Sequence, residues 1–185
     1  DTPLILNLLE LKTEEQNNST KLLVELLEEK QAKIKCFEHT YKEVYSIIYA
    51  YKENLGKYRD KTLEGLDIKH YKYSDVERLL DNLKSRLKKK HVEVEEIPSY
   101  EDYNTVIDEQ GLEEFLKEKY KDKIEKKEKV LGPDVDSISA ISRLRKGKYV
   151  TKLEESKAIF VTTNYDLIKY SNLFLNKHEF GEISY

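Results

Sequence analysis

Two short stretches late in the chain carry residues whose types and spacing suit metal chemistry. Asp134 and Asp136 follow Gly132-Pro133, where a helix is expected to begin, and Asn164 and Asp166 end the apolar run Ala158-Ile159-Phe160-Val161-Thr162-Thr163. Carboxylates are hard oxygen donors of the kind that small divalent cations take. A buried strand that stops at polar groups is also where open α/β sheets place their ligands, outside the carboxyl ends of the strands. If that helix and that strand are neighbours, acids converge from two elements, and one more carboxylate completes a metal cage. The start of the sequence offers it: Asp1-Thr2-Pro3 leads directly into an apolar run. Pro is favoured in the first turn of a helix, so Asp1 is expected to stand at the end of a strand that precedes the sequence.

The elements that must position these groups can be read from periodicity. Residues 4–11 have Leu4, Leu8 and Leu11 at helical spacing, and 12–18 is polar and expected to loop out. Ser19 or Thr20 then caps a helix over 21–30, with Leu22, Leu23, Leu26 and Leu27 as its apolar stripe. Residues 32–37 alternate as a half-covered strand does. A helix follows from about residue 40, with Val44, Ile47, Ile48 and Tyr51 toward the core.

The stretch 56–130 differs in kind, being dense in Lys and Glu. It holds an expected helix over 74–90 with the stripe Val76, Leu79, Leu80, Leu83 and Leu87, where Ser74 and Glu77 have capping-box spacing. Residues 91–95 alternate as an edge strand guarded by charge, and Pro98 ends it. Residues 112–129 carry Leu112, Phe115, Leu116 and Tyr120 on one face, then a solvated charge run. The helix 134–145, capped by Asp134, aims Asp136 at the strand ends and closes on Arg145-Lys146-Gly147. Residues 151–156 make a helical turn, 157–163 the buried strand and 179–185 a final one. Asp166 or Asn164 caps the helix between these strands.

An Asp-Thr start, an acid on a later helix, an Asp-x-x-x-Ala helix (Asp136, Ala140) and the strand end Thr163-Asn164-Tyr165-Asp166 come in that order. In this the chain resembles the PIN-domain nucleases, over 1–55 and 132–185 but not the middle. The resemblance implies an α/β fold, three-layer α/β/α with a central, mostly parallel sheet. The whole of 1–185 is then one domain, truncated at both ends, with a helical insertion over 56–130. It implies a nuclease that hydrolyses RNA or DNA with Mg²⁺ or Mn²⁺, the ligands being Asp1, Glu43 and Asp136, with Asp134 beside them. Glu43 read by itself is an acid near a helix start, stabilised by the helix dipole. The resemblance gives it the second metal position, and Glu38 is its competitor. Asn164 and Asp166 take the fourth position, where the family usually has an acid; Asn164 departs from that pattern. Arg143, Arg145 and Lys146 would lie beside the cleft and hold phosphates, or form a solvated helix end. The alternative is a catalytically weakened domain that binds nucleic acid or protein.

Composition narrows the partners. Charged residues make up 37% and the formal net charge is −3, so no global basic field attracts nucleic acid, and binding must use local patches. The lone Cys36 forms no internal disulfide and fits a reducing cytoplasm. The apolar runs fall short of the roughly 20 residues that a membrane span needs. Met is absent, which suggests a piece of a longer protein, or a sequence with modified methionines omitted and its spacings blurred. Expected partners are RNA or DNA, further domains of a parent chain and a second copy of this one. The 14 Tyr residues are expected to extend core stripes, and His39 to be an exposed loop residue.

Overall fold

A computed structural model describes residues 1–55, 61–101, 107–121, 124–148 and 155–177, the side chains of 61 and 124–130 excepted. Helices predominate, with a two-stranded parallel sheet, so the arrangement is α/β in the broad sense. The chain divides into two compact units, Asp1–Glu96 and Ile97–Tyr185. No described helix is long and apolar enough to cross a membrane.

In the first unit, α1 (Thr2–Leu8) starts at Asp1, whose carboxylate accepts from the Leu4 N–H at 3.3 Å. It buries Ile5, Leu6 and Leu8, with Leu9 and Leu11 just beyond its end. Helix α2 (Glu14–Glu29) begins before the expected loop has run its course. Thr13 caps it, and Glu14 and Glu15 place negative charge in its first turn, which outweighs the polar composition of 12–18. Its stripe is only half used: Leu23 and Leu27 are partly covered, whereas Leu22 and Leu26 are 66% and 52% exposed.

Strand β1 (Ile34–Phe37) pairs in parallel with β2 (Val92–Glu95), in the register Ile34↔Val92 through Phe37↔Glu95. The stretch read as an insertion therefore supplies the partner strand. Between them lie α3 (Glu38–Glu53), α4 (Glu64–Ile68), α5 (Tyr73–Asp81) and α6 (Leu83–Lys89). The stripe from Val76 to Leu87 is buried as expected, but Asn82 divides its helix in two. The Asn82 amide turns back to the Arg78 carbonyl at 2.9 Å. The expected Ser74 cap is replaced by Lys72, whose N–H donates to Asp75 at 3.0 Å. Tyr45 and Tyr49 stack at 6.4 Å on the outer face of α3 and remain exposed, so they do not extend the core.

The second unit holds α7 (Glu109–Lys119), α8 (Ile124–Arg145) and α9 (Tyr165–Lys177). Helix α8 runs unbroken through Gly132 and Pro133, so Asp134 is no N-cap. Pro inside a helix removes a backbone bond and costs about 3 kcal/mol. Burial of Leu131, Val135, Ile138 and Ile141 on the same helix offsets that loss. The expected strand over 157–163 reduces, among the described residues, to extended chain with a single bridge at Phe160. The strand expected over 179–185 and most of the turn over 151–156 fall outside the described residues.

Two glycines test this packing in opposite directions. A Cβ on Gly65 would lie 2.5 Å from the Lys12 carbonyl oxygen and 2.7 Å from Leu11 carbonyl carbon, whereas one on Gly132 meets nothing within 4 Å. Gly132→Ala is expected to stabilise the chain by roughly 0.5–1 kcal/mol, the ordinary helix effect. Gly65→Ala is expected to destabilise it by roughly 1–3 kcal/mol, because backbone must move. Urea unfolding of both variants checks the opposite signs.

Candidate functional site

The expected site residues fall in both units. In the first, α1 and α3 pack together, and the Thr2 hydroxyl donates to the Glu43 carboxylate at 2.5 Å. Thr2 is buried and Asp1 and Glu43 are half-buried, so two acids far apart in sequence stand on either side of one hydroxyl. Because α3 begins at Glu38, Glu43 lies in its second turn, not its first, and the helix-dipole position belongs to Glu38. Glu38 pairs with Lys42 at 3.3 Å; it is Glu43 that meets Thr2. His39 is no loop residue but lies in the first turn of α3, half-buried and stacked on Phe37 at 5.7 Å. Cys36, buried on β1, has its thiol pushed up to about 11 by burial, with the Asp1 amino group opposing.

In the second unit, the groups gather around Tyr120. Its ring is 2% exposed and meets Tyr170 edge-on at 5.9 Å. Burial first, then the charges of Asp134 and Asp166, push its phenol well above the ordinary tyrosine range, while a hydrogen bond with Asn164 acts the other way. Asp134, Asn164 and Asp166 therefore share one neighbour. Asp136 is exposed, while Asp134 is half-buried. With α8 continuous, it is Asp134 whose charge reaches Tyr120, which reverses the roles expected for these two acids. Asn164 caps α9, its side-chain oxygen accepting from the Leu167 N–H at 3.3 Å, and Asp166 sits in the first turn.

The expected phosphate-binding cations are placed unequally. Arg143 is 1% exposed and donates to Glu109 at 3.2 Å and Ser139 at 2.7 Å, with the Tyr100 ring 4.1 Å from its guanidinium carbon. Arg145 is 2% exposed and held by the Ser156 hydroxyl at 2.9 Å. Only Lys146 of the three is exposed, at the left-handed turn that closes α8 (φ 55°). The bonds made by Arg143 and Arg145 are internal and give both a structural occupation.

Glu109 and Tyr100 carry a network that periodicity did not single out. The Tyr100 hydroxyl donates to Glu109 at 2.6 Å, and Ser139 donates to the same carboxylate. Burial raises the Glu109 carboxyl, but the bonds from Ser139, Tyr100 and Arg143 prevail and hold it below the usual range. The available signal was the spacing of Ser139 and Arg143, one helical turn apart, which puts both on one face.

Each unit thus offers a pair of expected acids: Asp1 with Glu43, and Asp134 with Asp166 beside the Asn164 amide. Among the described residues no group of three or more His, Cys, Asp or Glu side chains is placed to hold a metal. Mg²⁺ characteristically takes one or two carboxylates and keeps several waters, so either pair has a donor set that fits such an ion. No family model, curated protein or solved structure matches the chain.

The buried ion pair sets a pH dependence. A carboxyl lowered in the folded state contributes stability above its unfolded pKa, and that contribution is lost as pH falls through the folded value. Glu109→Gln is expected to destabilise the protein by roughly 1–3 kcal/mol at pH 7. The gap to wild type should shrink as pH falls below about 4.3, the ordinary Glu value. Urea unfolding at pH 7 and pH 3.5 checks this; a gap independent of pH would show that the Glu109 charge does not matter.

Proposed function

We propose that the chain is a PIN-like domain that hydrolyses phosphodiester bonds of RNA or DNA with Mg²⁺ or Mn²⁺. The observation that carries this reading is the Thr2–Glu43 bond, which joins an acid at the start of α1 to one on the helix that follows a parallel strand. The β1–β2 pair with intervening helices supports the larger reading of a three-layer fold around a mostly parallel sheet. The shared neighbourhood of Asp134, Asn164 and Asp166 supports the other half of the acid set. A reducing cytoplasm suits the lone buried Cys36.

Asp1 and Glu43, and Asp134 with Asp166, are the residues that would hold the ions. A bound divalent cation there activates water and neutralises phosphate charge. The protein's own groups do the positioning. Thr2 fixes the Glu43 carboxylate by donating to one of its oxygens. Tyr120, kept protonated by burial and the flanking acids, retains its phenolic proton as a donor. Lys146, exposed at the end of α8, supplies a cation for the backbone of the strand.

The second reading, a binding module with weakened catalysis, is favoured by one observation: Asn164 brings an amide where an acid would add charge, and spends it on capping α9. Cleavage of labelled RNA and DNA with Mn²⁺ separates the two. Under the nuclease reading, Glu43→Gln and Asp134→Asn are each expected to lower the rate at least about 100-fold, as loss of charge-stabilising groups does. Asp136→Asn, on the exposed side, should cost less. Absence of cleavage in wild type with nucleic-acid binding retained supports the module.

Asn164→Asp preserves the cap, since Asp and Asn cap equally well. Under the nuclease reading it is expected to tighten Mn²⁺ binding several-fold by adding a ligand charge. Calorimetric titration of wild type, Asn164→Asp and Asp166→Asn measures it; negligible binding in all three would remove this end of the site.

A further inference from the structure

The first unit contains a cleft of about 570 Å³ between the end of α1, one face of α2, α4 and the turn from α6 into β2. That volume lies within the range of small-molecule sites. Neither proposed acid pair lines it.

Two amide oxygens face it without partners. Asn7 is 8% exposed and donates its amide to the Thr20 hydroxyl at 2.9 Å, while its Oδ1 has no hydrogen-bond partner among the described residues. Asn17 donates its amide to the Lys12 backbone carbonyl at 3.0 Å, and its buried Oδ1 is likewise bare. A carbonyl only accepts, so the Asn17 amide orientation is fixed and the oxygen must be the free end. Buried acceptors in native proteins find donors. Here the donors must come from whatever occupies the cleft.

The walls give that occupant a polarity. The α2 side presents Glu14 and Glu25, and the opposite side presents Lys69, Lys89 and Lys90. The Glu10 carboxylate reaches across to Lys69 at 3.4 Å and Lys90 at 3.1 Å; Lys89 beside them is exposed. A fitting ligand carries N–H donors at one end and an anion at the other. A free amino acid has that polarity but fills only a small part of the space. A nucleotide with an amino-bearing base has both the polarity and the size.

We propose that this cleft binds a nucleoside monophosphate whose base bears an exocyclic amine, with the base on Asn7 and Asn17 and the phosphate on Lys89 and Lys90. The inference stands apart from the nuclease reading, because it uses none of the same residues and no catalytic step.

The test is calorimetric titration of the full chain with adenosine, cytidine and uridine monophosphates and with inorganic phosphate. Adenosine and cytidine monophosphates are expected to bind saturably. Uridine monophosphate, which lacks the amine, and inorganic phosphate should be weaker by at least about tenfold, since a site built around hydrogen bonds rejects a ligand that leaves them unmade. Asn17→Ala should weaken adenosine monophosphate by a similar factor and abolish its preference over uridine monophosphate. Lys89→Glu, at an exposed position that leaves the fold intact, should weaken all the nucleotides together. The proposal is overturned if adenosine monophosphate does not bind, if uridine monophosphate binds as well, or if neither substitution changes affinity. Those amide oxygens would then be served by water alone.

Discussion

Helix α1 is covered on nearly every side, and the first unit is arranged by the need to enclose it. Ile5, Leu6, Leu8, Leu9 and Leu11 are all buried within less than three turns, more apolar surface than a single neighbour can cover. Apolar contact has no direction, so it holds such a helix without fixing its rotation. Two polar bonds supply the direction: Thr2 to Glu43 on α3, and Asn7 to Thr20 on α2. The first stands beside the proposed acids and the second beside the cleft. One buried helix thus gives both sites their shape.

How far the sequence discloses this depends on which force decides each element. The stripe from Val76 to Leu87 is legible because burial and helical period agree, and the core takes all of it. The start of α2 was hidden, because Thr13 and two following acids outweigh a polar stretch that reads as loop. Pro133 misled in the other direction. It marks a helix start when local preference rules, but here the apolar residues around it keep α8 continuous. That continuity exchanges the environments of Asp134 and Asp136. Of the candidate site, the acids were legible as residue types; Thr2 and Tyr120, which give them partners, were not. A hydroxyl on a buried surface leaves no period in the sequence.

The cations show the same limit from the side of charge. A cluster such as Arg143, Arg145 and Lys146 reads as a solvated patch or a phosphate grip. Guanidinium forks, however, suit internal carboxylates and hydroxyls equally well. Burial decides between these uses, and Arg143 and Arg145 lie inside, against Glu109 and Ser156. Lys146, without a planar fork, stays at the surface.

The one cysteine of the chain has a consequence for watching the first unit move. Cys36 is 7% exposed on β1, and its thiol resists ionisation. Alkylating reagents attack the thiolate, so the folded strand is shielded twice, by access and by protonation. Modification must await an opening of the structure around β1, and its rate then follows the free energy of that opening. With a single cysteine in the sequence, every label incorporated reports the same event. The chain carries its own clock for local unfolding, set beside the sheet.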